Sequence, residues 1–210
     1  MKDIAKFWDG IAEKYAKSPI RNETAYEHTL GRTRSYLKDT DTALELGCGT
    51  GTTAIKLADA VAEFIATDIS EGMLEVGRRR AAEAGVSNVT LQKATAQTAP
   101  EGPFDVVLAH NLIHLLDDPD GDLAAIAARV KHGGLFISKT PCLKGKVGSW
   151  KLTLIKLALP LAQLLGKAPP VRFMSVEELD AAVTAAGFEI VESGNFPASP
   201  PSRYVVARKI

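Results

Sequence analysis

Short apolar runs alternate with amphipathic stretches along the chain. The apolar runs are bounded by turn residues and predict strands at 42–46, 62–67, 88–92, 103–109 and 135–138. The stretches 71–84 and 120–131 carry apolar residues at helical spacing and predict helices between those strands. Strands that alternate with helices favour a mostly parallel sheet with helices on both faces. The run at 103–109 is almost wholly apolar, which is typical of a central strand in such a sheet.

Further elements flank this alternation on both sides. Two amphipathic helices are predicted ahead of the first strand, over 3–16 and 22–37. A helix over 175–186 and two strands, at 188–191 and 204–207, complete the chain. We therefore expect the whole of residues 1–210 to form a single α/β domain, which the length also suits.

The segment between the fifth strand and the last helix has an unusual composition. From Lys139 to Arg172 it carries seven positive charges and no acid. Within it, residues 150–165 are apolar on most faces, with Pro160 as an interruption. A helix of this kind is either buried, as part of a core, a binding pocket or a dimer interface, or lies on a membrane surface.

The composition excludes few classes of protein. Hydrophobic residues make up 46% and charged residues 24% of the chain, which is ordinary for a globular domain. The formal net charge is zero, so nothing favours nucleic acid as a partner. The chain has only two cysteines, and its N-terminus has no apolar signal core. No run reaches about 18 apolar residues, the length of a membrane-spanning helix. These features predict a cytoplasmic protein.

A glycine-rich turn joins the first strand to the helix that begins at Thr52. Gly47, Gly49 and Gly51 occupy every second position of this turn. A strand that passes through glycines into a helix brings backbone close to a ligand at the helix N-terminus. Asp68 follows the second strand, where an acid accepts hydrogen bonds from ribose hydroxyls in nucleotide-binding folds. The alternative for the glycines is an ordinary turn without a ligand. The alternative for Asp68 is that it only caps the next helix.

These residues carry a resemblance to a known family. Glu-x-Gly-x-Gly-x-Gly over 45–51, followed by Asp68-Ile69-Ser70 and Met73-Leu74, resembles the class I S-adenosylmethionine-dependent methyltransferases, in the branch of ubiquinone and menaquinone biosynthesis. The resemblance implies a doubly wound, Rossmann-like sheet of seven strands in the order 3-2-1-4-5-7-6. It also implies that residues 1–38 form an N-terminal helical cover and residues 141–173 a helical cap insertion.

The resemblance implies S-adenosyl-L-methionine as the cofactor, with the three glycines near its methionine part, Glu45 near its amino group and Asp68 on the ribose. Many relatives hold adenine with an Asp after the third strand, where this chain has Thr95, so that the Thr95 hydroxyl or the Ala96 backbone would serve instead. Tyr15 would touch the cofactor carboxylate or pack as an interfacial aromatic. The full predicted cofactor set is Tyr15, Glu45, Gly47, Cys48, Gly49, Gly51, Asp68, Ile69, Met73, Thr95, Ala96 and His110.

His110 follows the fourth strand and is the predicted catalytic residue. Ligands of open α/β sheets sit at the carboxyl ends of the strands, so His110 should face the reacting methyl group. If the acceptor is a hydroxyl or phenol, a histidine has a suitable pKa to remove its proton. His114 is expected to pack and orient the loop. The chemistry requires no metal, and no tight cluster of ligands stands out. The chain lacks the Asn/Asp-Pro-Pro-Tyr pattern, which argues against DNA adenine and glutamine as acceptors.

Three functional hypotheses remain. The first is a methyltransferase that acts on a small, hydrophobic acceptor, with a peripheral membrane contact through 144–167, as a monomer or homodimer. The second is a non-catalytic module or regulatory partner that binds S-adenosylmethionine. The third is a nicotinamide oxidoreductase, but its motif would require glycine where the chain has Thr52, and a Tyr-x-x-x-Lys pair is missing.

Overall fold

The computed structural model describes residues 2–144, 159, 163 and 168–210. Within these residues the strands form one seven-stranded sheet in the order 3-2-1-4-5-7-6, the order that the family resemblance implies. Their bounds are β1 Thr42–Leu46, β2 Glu63–Asp68, β3 Val89–Lys93, β4 Phe104–His110, β5 Val130–Pro141, β6 Phe188–Asn195 and β7 Ser202–Lys209. The first five strands are parallel, whereas β7 runs antiparallel to both β5 and β6.

Helices connect and cover the strands. Within the described residues their bounds are α1 Lys2–Lys17, α2 Glu23–Arg34, α3 Thr52–Leu57, α4 Glu71–Glu83, α5 Pro119–Arg129 and α6 Val176–Ala185. The helix α6 begins with a capping box, in which the Ser175 hydroxyl accepts from the Glu178 amide and the Glu178 carboxylate accepts from the Ser175 amide. Two 3₁₀ turns, Ala58–Ala60 and Ile113–Leu115, complete the connections.

Apolar side chains of the central strands fill two layers, one on each face of the sheet. Leu44, Val107 and Phe136 belong to the layer beneath α5 and α6. Ala43 and Val106 are their chain neighbours and belong to the layer beneath α2, α3 and α4. This alternation follows the period of two along a strand. Because both faces are covered, the strands require apolar residues at nearly every position, which explains the continuous apolar runs.

The end of α5 differs from the prediction. The pattern placed this helix over 120–131, but it ends at Arg129 and β5 begins at Val130. The Arg129 side chain is 9% exposed and donates hydrogen bonds to the carbonyl oxygens of Gln97, Ala99, Pro100 and Ala125. These bonds hold the last turn against the loop before β4, so the chain leaves the helix before Gly133.

The two N-terminal helices contact different parts of the fold. The helix α1 packs on α4, where Oδ1 of Asp9 accepts from the Ser70 hydroxyl at 2.6 Å and the Gly72 amide at 3.0 Å. The helix α2 lies on the same face of the sheet but toward its β7–β6 edge, where Thr33 bonds the Tyr204 hydroxyl at 3.2 Å and Arg32 pairs with Glu192. That residues 1–38 cover a bound acceptor stays a prediction. Most of the predicted cap insertion, including all of the apolar stretch 150–165 except residues 159 and 163, lies outside the described residues.

Candidate functional site

The glycine turn lies at the carboxyl edge of the sheet, and its three glycines have different surroundings. All three have positive φ, of 66° at Gly47, 54° at Gly49 and 70° at Gly51, which favours glycine. A Cβ at Gly47 would lie 2.8 Å from Leu112, and one at Gly51 would lie 3.0 Å from Leu91. A Cβ at Gly49 would meet only the Tyr15 ring, at 3.9 Å. Gly49 therefore presents open backbone, whereas its two neighbours are required for packing.

Asp68 fixes the open side of this turn. Its Oδ2 accepts from the Gly49 amide and its Oδ1 from the Ser70 amide, both at 2.9 Å. Burial raises the pKa of this carboxyl above its ordinary value, and the backbone hydrogen bonds act against that rise. The cap of α4 is Ser70, whose hydroxyl accepts from the Met73 amide. Each carboxylate oxygen keeps acceptor capacity for a ligand hydroxyl.

Glu45 is an isolated buried acid at the end of β1. Glu45 is 2% exposed, and its Oε2 has no hydrogen-bond partner in the described part of the chain. Burial, with a smaller contribution from the Asp68 carboxylate, raises the pKa of Glu45 to about 8, against the Ala54 amide and the Thr53 hydroxyl, which lower it. A buried carboxyl oxygen without a partner indicates a site that a ligand donor completes.

Two tyrosines from the N-terminal helices face these carboxylates. Tyr15 remains 51% exposed and meets Trp8 edge to face, with ring centroids 6.2 Å apart. Its pKa is raised by burial first and then by the charges of Asp68 and Glu45. Tyr26 is half-buried, and burial together with the charge of Glu45 raises its pKa to about 12. Both helices therefore bring a phenol to the carboxyl edge of the sheet.

The other predicted cofactor residues have different environments. Cys48 is buried, and burial raises the pKa of its thiol. Met73 is 2% exposed and packs against Ala12 of α1, so its described contacts join α4 to α1. Ile69 is half-buried beside Asp68, and Ala96 belongs to the core. Their contact with the cofactor stays a prediction.

Thr95 uses its hydroxyl within its own turn. The oxygen accepts from the amides of Gln97 and Thr98, each at 3.2 Å, and lies 3.1 Å from the Thr98 hydroxyl. A hydroxyl oxygen has two lone pairs, so these contacts occupy the acceptor capacity that adenine would require. The predicted adenine contact through this hydroxyl thus requires a rearranged turn, whereas a contact through the Ala96 backbone does not.

A small cavity lies beside the turn, between α2 and the ends of β4 and β5. Its volume is about 50 Å³, and its lining consists of Tyr26, Thr29, Leu30, Thr53, His110, Asn111 and Lys139. The Nε2 atom of His110 is buried without a hydrogen-bond partner in the described residues. Burial and the charge of Lys139 lower the pKa of His110 to about 4, so this imidazole is neutral at physiological pH. It is also a weaker base than the ordinary histidine pKa assumed for it from the sequence.

The turn after β4 holds this cavity in place. Asn111 adopts a φ of 57°, a left-handed conformation that asparagine tolerates better than most residues. Its amide donates to the Lys139 carbonyl at 2.7 Å, which ties the ends of β4 and β5 together. Leu112 then packs on Gly47, so the loop that lines the cavity through Asn111 also contacts the glycine turn.

His114 has a structural environment outside this cavity. Its ring is buried, its Nδ1 has no partner in the described residues, and burial lowers its pKa to about 4. Its carbonyl accepts from the Arg172 amide at 2.8 Å, which holds the end of the predicted cap insertion against this loop.

Sequence reasoning missed several residues of the site. Lys139 counted only as one charge in a basic segment, although a lone lysine after the apolar run 135–138 was a usable signal. Tyr26 was assigned only to the apolar stripe of α2. Arg80 also contributes, because its guanidinium donates to the hydroxyls of Thr50 and Thr52 in and after the glycine turn.

The described residues contain neither a metal-binding cluster nor a membrane-spanning helix. Within 2–144 and 168–210, no group of three or more His, Cys, Asp or Glu side chains is placed to hold a metal ion. No helix in the same part of the chain has the length and apolar character needed to cross a membrane.

Comparison with known proteins identifies relatives of this chain. Residues 43–134 match the model of a family described as a methyltransferase domain. The chain is 30% identical over 201 residues to the ubiquinone biosynthesis O-methyltransferase of Burkholderia thailandensis, which covers 90% of this chain and 81% of that protein. It is 33% identical over 143 residues to the demethylmenaquinone methyltransferase of Symbiobacterium thermophilum, covering 64% of this chain and 57% of that protein.

Three further curated relatives, at 32% to 36% identity, are matched over only 24% to 48% of their own length. Among solved structures, the geranyl diphosphate C-methyltransferase of Streptomyces coelicolor is similar over 100% of this chain and 97% of its own, with a TM-score of 0.76 and 11% identity. At that identity the similarity shows a common fold.

Proposed function

Because this chain belongs to the class I S-adenosylmethionine-dependent methyltransferases, we propose that it transfers the methyl group of S-adenosylmethionine to a small, hydrophobic acceptor. Family membership removes the nicotinamide oxidoreductase from the hypotheses, since the matching model describes a methyltransferase domain. The observation that carries the proposal is the open Gly49 backbone between Asp68 and the unpartnered Oε2 of Glu45.

The described residues fit this cofactor chemically. The amino group of the cofactor is a cation with N–H donors. Oε2 of Glu45 has no hydrogen-bond donor among the described residues, so this amino group would supply one. The cofactor's ribose offers two hydroxyls to Asp68, and its methionine part requires the open backbone at Gly49. When bound, the cofactor supplies a methyl group that its sulfonium already activates, so the main task of the chain is to position the acceptor.

Two observations support a hydrophobic acceptor. Relatives at 30% and 33% identity are named for ubiquinone biosynthesis and for demethylmenaquinone, which are quinone-related names. The sequence at 150–165 is apolar on most faces and stands where this family places an acceptor wall, although only residues 159 and 163 of it are among the described residues. The basic residues within 144–167 would attract an anionic head group or membrane surface.

The decisive experiment is transfer of radiolabelled methyl from S-adenosylmethionine into a cell extract, followed by separation into lipid, small-molecule, protein and nucleic-acid fractions. The proposal predicts label in the lipid or apolar small-molecule fraction. Label in a strongly polar metabolite, protein or nucleic acid overturns the proposed acceptor class. Binding of S-adenosylhomocysteine without any transfer favours the alternative, a non-catalytic module. Flotation with anionic vesicles at low salt tests the membrane contact separately.

A further inference from the structure

One face of α4 contacts both the glycine turn and α1. Met73 of α4 packs against Ala12 of α1. Gly77 lies against the turn itself, since a Cβ there would lie 3.3 Å from the Thr50 carbonyl. Residues three apart share a face of a helix, so Arg80 leaves α4 on the side where Gly77 meets the turn.

The Arg80 guanidinium bridges the glycine turn and the end of α1. Its Nη1 donates to the Thr50 hydroxyl at 3.0 Å and to the Thr52 hydroxyl at 3.3 Å, and its Nη2 donates to the Ala16 carbonyl at 2.5 Å. All three acceptors are neutral, and no acid of the described chain pairs with this guanidinium. Its donors are therefore used to join two segments of the chain and not to balance a charge.

The last turn of α1 depends on this contact. The final carbonyls of a helix have no partner within the helix. In α1 the Ser18 hydroxyl donates to the Lys14 carbonyl at 2.9 Å, and the Ser18 amide donates to the Tyr15 carbonyl at 3.0 Å. The Ala16 carbonyl receives Arg80 instead, and a cation is favoured at this end of a helix. Loss of the guanidinium should therefore loosen the turn of α1 that carries Tyr15.

Tyr15 lies on this last turn and faces the open backbone of the glycine turn. A Cβ at Gly49 would lie 3.9 Å from the Tyr15 ring. A ligand on the Gly49 backbone would therefore contact the ring as well as the turn. The affinity for that ligand should depend on where the ring stands relative to the turn, and Arg80 is hydrogen-bonded to both segments.

We propose that Arg80 is a positioning residue for the cofactor, which holds Tyr15 over Gly49 and thereby slows release of the bound ligand. The inference rests on the proposed methyltransferase function and adds a residue that acts through Tyr15 and the turn. Release of the ligand then requires α1 to move away from the turn, which breaks the contact of Arg80 with the Ala16 carbonyl.

The preceding arginine of α4 supplies a matched control. Arg79 pairs with Glu13 of α1 at 2.9 Å, and the two side chains are 53% and 60% exposed. An exposed pair of this kind contributes little to stability. Because Arg79 joins α4 to α1 without a described contact to the glycine turn, its removal tests whether any loosening of α1 is sufficient.

The test measures binding and release of S-adenosylhomocysteine by the full chain with Trp150→Phe, which leaves Trp8 as the sole tryptophan. Trp8 meets the Tyr15 ring edge to face, so its fluorescence should report the ligand. Arg80→Met should raise the dissociation rate constant about tenfold, as for the loss of one charged hydrogen bond, with association nearly unchanged. Arg80→Lys should restore only part of the retention, because an ammonium does not reproduce the guanidinium fork. Arg79→Met should leave both rate constants unchanged.

A double-mutant cycle identifies the route of the effect. If Arg80 acts through Tyr15, Arg80→Met should weaken binding much less in a Tyr15→Ala background than in the parent. A role in general stability alone would give the same loss in both backgrounds. Titration calorimetry measures this cycle, because Tyr15→Ala also removes the ring beside Trp8.

Three outcomes overturn the inference: an unchanged dissociation rate constant for Arg80→Met, an equal rise for Arg79→Met, or the same loss of affinity in both backgrounds of the cycle. If the parent protein does not bind S-adenosylhomocysteine, the proposed function fails instead. If Arg80→Met does not fold, Thr50→Val decides, because it removes one acceptor of Arg80 and keeps the shape of the side chain. Thr50→Val should raise the dissociation rate constant by a smaller factor, and an unchanged value would again overturn the inference.

Discussion

Asp68 accepts a hydrogen bond from the backbone amide of Gly49 at 2.9 Å, and this contact joins the end of β2 to the glycine turn after β1. The acid that was predicted from its place in the sequence therefore has two tasks. It shapes the turn, and it keeps acceptor capacity for a ribose. Loss of the side chain should affect both.

Asp68→Ala should weaken binding of S-adenosylhomocysteine by about 1.5–3 kcal/mol for each charged hydrogen bond that is lost. Titration calorimetry measures this directly, and a melting curve checks that the fold is retained. Asp59→Ala is the matched control, because Asp59 pairs with Arg34 and its side chain is 75% exposed. An unchanged dissociation constant for Asp68→Ala would remove this residue from the site.

Gly49→Val should abolish cofactor binding, because the new side chain would fill the open face of the turn and its φ of 54° disfavours a branched residue. Gly85 offers a matched control, since its φ is 66° and a Cβ there meets nothing within 4 Å. Gly85→Val should show the backbone strain alone, about 1–2 kcal/mol of stability, with normal binding. A folded Gly49→Val protein that binds normally would contradict the assignment of the turn.

Binding of S-adenosylhomocysteine should release a proton near neutral pH. Glu45 has a pKa of about 8, so it is mostly protonated at pH 7. The ligand ammonium favours the charged carboxylate and lowers this pKa. Calorimetry at pH 7 in buffers of different ionisation enthalpy should therefore report a released proton, which Glu45→Gln should abolish. Equal enthalpies in all buffers would place Glu45 away from the ligand.

The same residue should also affect stability without ligand. The native pKa of Glu45 is raised from 4.5 to about 8, so between these values the native state binds more protons than the unfolded state. Stability from this group is therefore lost as pH rises through that window. Glu45→Gln should flatten the fall in melting temperature over the same range.

Much of the fold and the centre of the site follow from local sequence patterns. The sheet order was expected from the resemblance and is confirmed. The turn glycines and Asp68 are recognisable because each lies at the end of a strand, where the chain must meet any ligand. The end of α5 was placed wrongly, because it depends on Arg129 bonding to carbonyls some 30 residues earlier. No periodicity reports such a contact.

The cavity could not be predicted for a related reason. Tyr26, His110 and Lys139 come from three elements far apart in the sequence, and only the pairing of β4 with β5 and the docking of α2 bring them together. In the sequence, only its place directly after the apolar run 135–138 distinguishes Lys139 from the other positive charges between 139 and 172. Its significance depends on neighbours that are known only from the fold.

His110 should matter for turnover more than for cofactor binding. His110→Ala should lower turnover by about 10²–10⁴-fold with an acceptor that must lose a proton, the usual loss for a general base, while the affinity for S-adenosylhomocysteine stays nearly unchanged. Because burial and Lys139 lower the pKa of His110 to about 4, the imidazole is neutral over the physiological range. An exposed histidine becomes protonated near pH 6.5, but His110 does not. The rate of the parent protein should therefore not fall near this pH through protonation of His110.

The matched control for this prediction is His28→Ala, since His28 is exposed on α2 and lies against the Phe196 ring, with centroids 4.3 Å apart. Its turnover should equal that of the parent. A second variant, Lys139→Met, should raise the pKa of His110, because the positive charge that disfavours the imidazolium is gone. The acid limb of the pH–rate profile of Lys139→Met should then move toward neutral pH. If His110→Ala transfers methyl at the parent rate to an acceptor that must be deprotonated, the histidine is structural, and the proton leaves by another route.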